Sequence, residues 1–390
     1  MAIRRRTWTW KGEERSAWVC DYLDANGKRH LKTFRTKGEA IDYAAETRIE
    51  LRQGLHVPDR DSLTVEEAGQ QWLTACENDG LEPATLQTYR QHLCLHIAPR
   101  IGHKRLRELT VPVLRAFQDQ LRADGRSQAL TKKTITYLGG LIADAQERGL
   151  AVRNPVRERK RKRSRGKAAR RHEKRLEVGV DIPTPEEIRA ILGAATGYRR
   201  AFFMVAAMAG LRASELRGLR WSDVNFPKAT ITVAQRADKW CVIGSPKAHA
   251  SQREIRVAHE VVLALKEWKL ACPHGKLGLV FPNGRGNVEL LANIRRRHWH
   301  PLQIAAGVTR EEDGETVAKY GGLHALRHFF CSWCANSREQ GGLGLTLKET
   351  QVRMGHATLS QTADRYGHLF HGDGKREQEV LAAGARALLG

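Results

Sequence analysis

His324 and Arg327 stand three residues apart in Gly-Gly-Leu-His-Ala-Leu-Arg-His, a stretch rich in helix formers, so both project from one helical face. The pair joins a proton carrier to a fixed cation, the combination a phosphodiester under attack requires. Negative charge builds on its non-bridging oxygens, and a guanidinium fork matches two of them at once. A second cation is needed. Arg212 offers it from Ala-Gly-Leu-Arg-Ala-Ser-Glu-Leu at 209–216, after a glycine break between two apolar helical runs. Val-Arg-Met-Gly-His at 352–356 and Asp-Arg-Tyr-Gly-His-Leu at 364–369 then add His356 and Tyr366. Taken singly, each has an ordinary reading: a histidine at a helix end is more often a satisfied polar group, Arg212 a surface ion-pair partner, Tyr366 half-buried packing. Their joint occurrence, in this order, carries the argument.

With both boxes in view, the sequence resembles the tyrosine recombinases, the phage-type integrases, over about 182–370. In that family the first box is an Arg followed three residues later by an acid, here Arg212 and Glu215. The second is His-x-x-Arg, here His324 and Arg327, then Gly-His, here Gly355 and His356, with the nucleophilic tyrosine about nine or ten residues on, here Tyr366. The resemblance implies that Tyr366 attacks a DNA phosphate, leaving a 3′-phosphotyrosine and a free 5′-hydroxyl. Arg212 and Arg327 would hold the non-bridging oxygens, His324 would assist proton transfer with the tyrosine, His356 would hydrogen-bond the phosphate and Glu215 would orient the first box. The family's general acid is a Lys on a hairpin. Lys247, in Gly-Ser-Pro-Lys-Ala-His-Ala-Ser at 244–251, fits that place, with His249 a weaker substitute. No cofactor and no metal is implied, because two guanidiniums take the place of a divalent ion. The sequence also has no Asp/Glu cluster of two-metal character and no phosphate-binding Gly-Lys-Ser/Thr loop. Type IB topoisomerases share this chemistry, and a DNA-binding regulator that had lost catalysis would share the fold. The two-part arrangement before residue 178 favours recombination over the former, and an unsubstituted set of site residues weighs against the latter.

A chain of 390 residues allows two to four domains. Its 66 Lys and Arg against 43 acids give a net charge of +23 and a pI near 10.1, an excess that calls for a polyanionic partner. A membrane is disfavoured, since the apolar stretch at 202–209 is too short to span one. Met-Ala-Ile-Arg-Arg-Arg-Thr-Trp has no apolar run behind its basic start, so no secretory signal is read and the protein is expected in the cytosol with its DNA. Seven scattered cysteines do not form a disulfide framework. Cys331 and Cys334 make a C-x-x-C inside an apolar helical run with no second ligand pair nearby, which reads as packed free thiols.

These residues need a multidomain, mainly α framework. Residues 1–55 read as a small β-sheet plus helix: strand formers at Trp18–Tyr22, an Asn26-Gly27 turn, a returning strand over 28–34, and a Thr36/Glu39 capping box opening a helix to about Leu51. This segment resembles the N-terminal arm-binding domain of integrases that grip two classes of DNA site, a three-stranded sheet that enters the groove, and Arg4, Arg5, Arg6, Lys28, Arg29 and Lys32 are its candidate contacts. Residues 62–155 read as four amphipathic helices, opened by Thr64 with Glu67, by Pro83, by Pro112, and near 131. In the family this position holds the core-binding domain, here with Arg90, Arg126, Lys132 and Lys133 as candidate backbone contacts. Residues 156–181 form a basic linker, in which 157–175 carry twelve Lys or Arg and two Glu; lying along phosphates, it would let the protein close as a clamp.

The catalytic domain is expected over 182–390. Thr184 caps its first helix, a small antiparallel sheet is expected from Ala229–Ala234 and Arg253–Ala258, and a helix is expected at about 260–270. Arg295, Arg296 and Arg297 are candidates to follow the DNA backbone. Residues 307–320, with four acids, read as an insertion, and the tail from about Lys375 to Leu389 as a short amphipathic helix docking in cis or in trans. The resemblance further implies double-stranded attachment sites of core and arm type, a homotetramer on DNA, and a host DNA-bending protein and a directionality factor as accessories.

Overall fold

The computed structural model describes residues 1–11, 13–24, 27–52, 56, 58, 62–158, 176–246, 251–338 and 341–370, with 382, 385 and 386 beyond them. The chain divides into two units, 1–166 and 167–390. The first begins with an antiparallel sheet of β1 (Ala2–Trp10), β2 (Glu13–Leu23) and β3 (Arg29–Phe34) in that order, followed by α1 (Lys37–Arg52). Period-two alternation sorts the side chains onto two faces. Ile3, Cys20, Tyr22 and Phe34 turn toward Tyr43 and Ala44 of α1 and make the local core. Arg4, Arg6, Leu31 and Thr33 fall on the other face. Glu39 accepts from the Thr36 amide at 3.3 Å while Thr36 Oγ1 accepts from the Glu39 amide at 3.3 Å, so the expected capping box starts the helix. Asn26 lies outside the described residues; Gly27 (φ 77°) donates its amide to Asp24, which closes the turn.

In the same unit, α2 (Val65–Asn78), α3 (Pro83–His92), α4 (Ala98–Ile101), α5 (Val111–Ala123), α6 (Gln128–Glu147) and α7 (Pro155–Glu158) follow. A π-helical turn over Leu93–Ile97 joins α3 to α4. Side-chain oxygens of Thr64, Thr110 and Ser127 cap α2, α5 and α6, each satisfying an amide that the helix leaves open. The Ser127 cap starts α6 three residues before the expected position near 131. Leu73, Leu93, Ile97, Leu114, Phe117, Leu121, Leu138 and Leu141 form the bundle core. Arg107 lies over the Tyr43 ring at 5.0 Å and ties the bundle to α1 within the unit.

The second unit is built around α9 (Gly197–Ala209), whose Phe202, Phe203, Val205, Ala206 and Ala207 are buried, preceded by α8 (Pro185–Ala194). Helix α10 (Ala213–Gly218) leads into the sheet β4 (Val224–Asn225), β5 (Thr230–Val233) and β8 (Arg253–Arg256), with Ile231 opposite Ile255 over the core. A second hairpin, β6 (Arg236–Ala237) with β7 (Ile243–Gly244), interrupts the connection from β5 to β8. Then come α11 (His259–Ala271), α12 (Leu291–Asn293), a π-helical turn Ile294–Trp299 and α13 (His300–Ala305). The acidic segment is a hairpin of β9 (Thr309–Glu312) and β10 (Glu315–Ala318). Helices α14 (His324–Ala335), α15 (Leu347–Met354) and α16 (Leu359–Tyr366) complete the described part. The expected tail helix and basic run lie almost wholly outside the described residues, as do Lys247 and His249. None of the described helices is long and apolar enough to cross a membrane.

Candidate active site

Two glycines let distant segments meet. Gly210 ends α9 in the left-handed region (φ 61°), and a Cβ there would stand 2.1 Å from Phe330 Cδ1, so only glycine allows α14 to pack this close. Its carbonyl accepts from Arg327 Nη1, and the carbonyl of Met354 accepts from Arg327 Nη2. Arg327 is therefore buried, at 2% exposure, against uncharged acceptors that leave its charge intact. Burial, then Arg212, pulls its pKa down to about 9, still a cation at neutral pH. Gly355 (φ 63°) caps α15 in the same way and turns its carbonyl toward Arg212 Nη2 at 3.1 Å.

Arg212 sits at the N-cap of α10, where its backbone amide donates to Glu215 Oε2 at 2.9 Å and its Nη1 to Glu215 Oε1 at 2.6 Å. A second cation shares that carboxylate. Arg253, from β8, donates Nη2 to Glu215 Oε2 at 3.1 Å, Nε to the Arg353 carbonyl at 2.8 Å and Nη1 to the Ser251 carbonyl at 2.9 Å. Burial alone raises the Glu215 carboxyl, but Arg253 first and Arg212 second outweigh it and hold the group below the usual range. Arg212 is the member of this trio that reaches solvent.

The segment before His324 is fixed from several sides. Tyr320 Oη and Lys319 Nζ both donate to Glu187, each at 2.6 Å, while Gln303 and Trp299 hydrogen-bond the Tyr320 backbone. His324, Arg327 and His328 then fall on one face of α14, with the two imidazoles edge to face at 4.5 Å. His328 Nδ1 accepts from Tyr366 Oη at 2.6 Å. Burial, then His324, Arg365 and Arg327, lowers His328 to about 3, so its ring is neutral and able to accept. Desolvation, Arg327, Arg365 and Arg212 lower His324 to about 4. His356 binds Thr362 Oγ1 through Nδ1 at 2.8 Å and lies parallel to the Tyr366 ring at 6.4 Å. Burial, then Arg327, Arg212, Arg253 and Arg365, lowers it to about 4.

Tyr366, at 1% exposure, packs with Phe330, Cys331, Cys334 and Met354. Burial raises its pKa more strongly than the nearby cations lower it. Cys331 and Cys334 are free, buried thiols, and burial pushes Cys334 up to about 12.

The described structure thus gathers Arg212, Glu215, His324, Arg327, His356 and Tyr366, and adds Arg253 and His328, which the sequence reading missed. The His324–Arg327–His328 spacing was a signal for the latter. Arg253 shares a face with the core residue Ile255, but its strand of four residues is too short for alternation to have marked it.

The remaining candidates are dispersed. Arg4 and Arg29 both pair with Asp21, and Arg6 is exposed on the same side of the sheet. Arg5 and Lys32 belong to the helix-facing side, Arg5 donating to Ser16 and Lys32 standing 4.2 Å from the Tyr43 ring centroid. Lys28, Arg90, Arg126, Lys132 and Lys133 are exposed, as are Arg295, Arg296 and Arg297 on the second π-helical turn.

Comparison with known proteins identifies the family and the fold. Residues 183–372 match the phage integrase family, and residues 64–122 match the N-terminal SAM-like domain of phage integrases. A tyrosine recombinase XerC-like protein of Caldanaerobacter subterraneus subsp. tengcongensis is 26% identical over 379 residues, covering 89% of this chain and 90% of the relative. The Tn1549 transposon integrase in complex with transposon right end DNA superposes with a TM-score of 0.63 at 19% identity, over 82% of this chain and 100% of that one. A lambda integrase tetramer bound to a Holliday junction gives 0.53 at 18% identity, over 89% and 92%. The chain belongs to the phage integrase family and is a tyrosine recombinase, an enzyme of site-specific DNA integration. The topoisomerase and inactive-regulator alternatives gain no support from these matches.

Proposed function

We propose that the second unit breaks and rejoins DNA by in-line attack of Tyr366 on one phosphodiester, forming a 3′-phosphotyrosine and releasing a 5′-hydroxyl. The observation that carries this reading is the convergence of Arg212, Arg327, His324 and His356 around the Tyr366 segment from three separate stretches of chain. A tyrosine with an ordinary pKa near 10 is a poor nucleophile at neutral pH, so cations and a proton acceptor must offset the charge that develops. Arg212 and Arg327 would bind the non-bridging oxygens, His356 would add a hydrogen bond, and His324 would assist proton transfer. Glu215 orients Arg212. Lys247, on the connection into β8, would protonate the departing oxygen. Because Tyr366 is sealed at 1% exposure, seating DNA must open the end of α16. The ester conserves the bond energy, so a 5′-hydroxyl of a partner strand can reverse the step.

The first unit would contribute arm-type contacts over about 1–55 and core-type contacts over about 62–155, the basic segment 156–181 would lie along the backbone, and 182–390 would carry the chemistry. Arg4, Arg6 and Arg29 on the open face of the sheet, and Arg126, Lys132, Lys133 and Arg295 to Arg297 elsewhere, are the phosphate contacts in this reading. A homotetramer assembled on double-stranded DNA in the cytosol, with a host bending protein and a directionality factor, completes the proposal. Trapping on a nicked suicide substrate, drawn from the junctions of the resident element, tests it. The wild-type chain is expected to form a covalent adduct that survives denaturation and Tyr366→Phe to form none; an adduct in the variant overturns the assignment.

A further inference from the structure

We propose that Arg253 is a positioning residue for strand cleavage: by sharing Glu215 with Arg212 it preserves the positive charge of Arg212 for the DNA phosphate, and it pins the turn that presents His356. This rests on the phosphotyrosine reading above.

The geometry is unusually complete for an arginine outside the family's boxes. Its side chain is 5% exposed and its three nitrogens make four hydrogen bonds, two to the Glu215 carboxylate and two to the carbonyls of Arg353 and Ser251. A burial this deep costs solvation free energy that a purely structural apolar residue would avoid, so a buried cation is retained where its charge or its fork is used. Both are used here. The carboxylate carries one negative charge and faces two guanidiniums, so one positive charge is left over. Arg212, with 34% of its side chain exposed against 3% for Glu215, is the partner open to a ligand. Without Arg253, Glu215 would pair with Arg212 alone and cancel it. The fork meanwhile joins the start of its own strand, through the Ser251 carbonyl, to two pieces far away in sequence: the first box through Glu215 and the turn before His356 through the Arg353 carbonyl. Gly355 belongs to the same fit, because a Cβ there would approach Arg253 Nη1 to 2.8 Å.

A residue that only held the fold together would not respond to the charge of its neighbour, and this is what the test exploits. Single-turnover adduct formation on the suicide substrate is measured at saturating DNA, with site affinity measured separately. Arg253→Met is expected to slow adduct formation about 100-fold while affinity changes by less than about threefold. Adding Glu215→Gln to Arg253→Met removes the stranded carboxylate and is expected to recover at least about tenfold over Arg253→Met alone. A rate for Arg253→Met within about threefold of wild type, or a double variant no faster than Arg253→Met, overturns the proposal. If circular dichroism shows that Arg253→Met does not fold, Arg253→Lys decides, since it keeps the charge and loses the fork. A fall of about tenfold at unchanged affinity supports the positioning role, and a wild-type rate overturns it. The Tyr366→Phe control keeps the two readings apart: an adduct there removes the phosphotyrosine chemistry and this inference with it, whereas no adduct there beside an unimpaired Arg253→Met removes this inference alone.

Discussion

Arginines serve two different purposes in this molecule, and the contrast between the second unit's site and the first unit's sheet shows which purpose each has. In the site, Arg327 is buried and its hydrogen bonds run to the backbone carbonyls of Gly210 and Met354, whereas Arg253 divides its bonds between two carbonyls and the Glu215 carboxylate. Carbonyls fix a guanidinium without cancelling it, so the charge stays available in a place where water screens it poorly. On the sheet, Arg4 and Arg29 are exposed and lean on one carboxylate, Asp21, which the hydrogen bond from Arg29 holds below the usual range. Such cations add affinity for a polyanion that falls as salt rises, and their exact position matters little. Burial against neutral acceptors leaves Arg327 poised for one anion in one place; exposure beside a single carboxylate leaves Arg4 and Arg29 to serve a surface.

The sharpest way to break this contrast is Arg327→Lys. A lysine keeps a point charge but cannot reach both the Gly210 and Met354 carbonyls and a phosphate oxygen as well. Adduct formation is expected to fall by about 100- to 1,000-fold, with a lower Tm because a buried carbonyl loses its partner. A near-wild-type rate would show that the charge alone suffices and that the carbonyl cradle has no catalytic meaning.

The second test concerns the neutral groups between the cations. His328→Leu removes the acceptor of the Tyr366 hydroxyl and is expected to slow adduct formation by about 10- to 100-fold. It also has a signature in pH. The folded-state pKa of His328 lies near 3, below the roughly 6.5 of an unfolded histidine, so the stability it confers is fully present above pH 6.5 and is lost as pH falls from there toward 3. The groups facing it, His324, Arg327, Arg365 and Tyr366, are those of α14 and α16. Thermal melts from pH 7 to pH 4 are therefore expected to fall less steeply for His328→Leu than for wild type; parallel curves would mean that the ring is not held neutral by its surroundings.

Much of this site was legible before any coordinates. The order of Arg212, His324, Arg327, His356 and Tyr366 follows from short local motifs, and the glycine break before Arg212 and the Gly355 of the Gly-His motif were visible beside them. Local capping chemistry likewise placed the helices opening at Thr36, Thr64 and Thr184. What sequence could not supply was pairing across long separations. Nothing local to Arg253 says that it reaches Glu215, 38 residues away, and a strand of four residues offers too little alternation to mark it as buried. The strand β1 was missed for a related reason: its Arg and Trp residues alternate with Arg and Thr, so no apolar face shows until β2 and α1 cover Ile3.

The smallest expected effect is the most specific check on the sheet. Arg4→Ala with Arg6→Ala removes two cations from the open face, so the slope of log affinity against log salt for arm-type DNA should shrink by about two, with affinity about tenfold weaker at low salt. At saturating DNA the adduct rate should not change, because neither residue belongs to the site that gathers around Tyr366. Lys32→Met supplies the internal comparison. Its ammonium lies over the Tyr43 ring on the face that α1 covers, so fluorescence anisotropy should find DNA affinity and salt slope unchanged while Tm drops slightly. If instead Lys32→Met flattens the slope as much as the arginine pair does, the helix-covered face is the one that meets DNA, and sorting this sheet's cations by strand alternation fails.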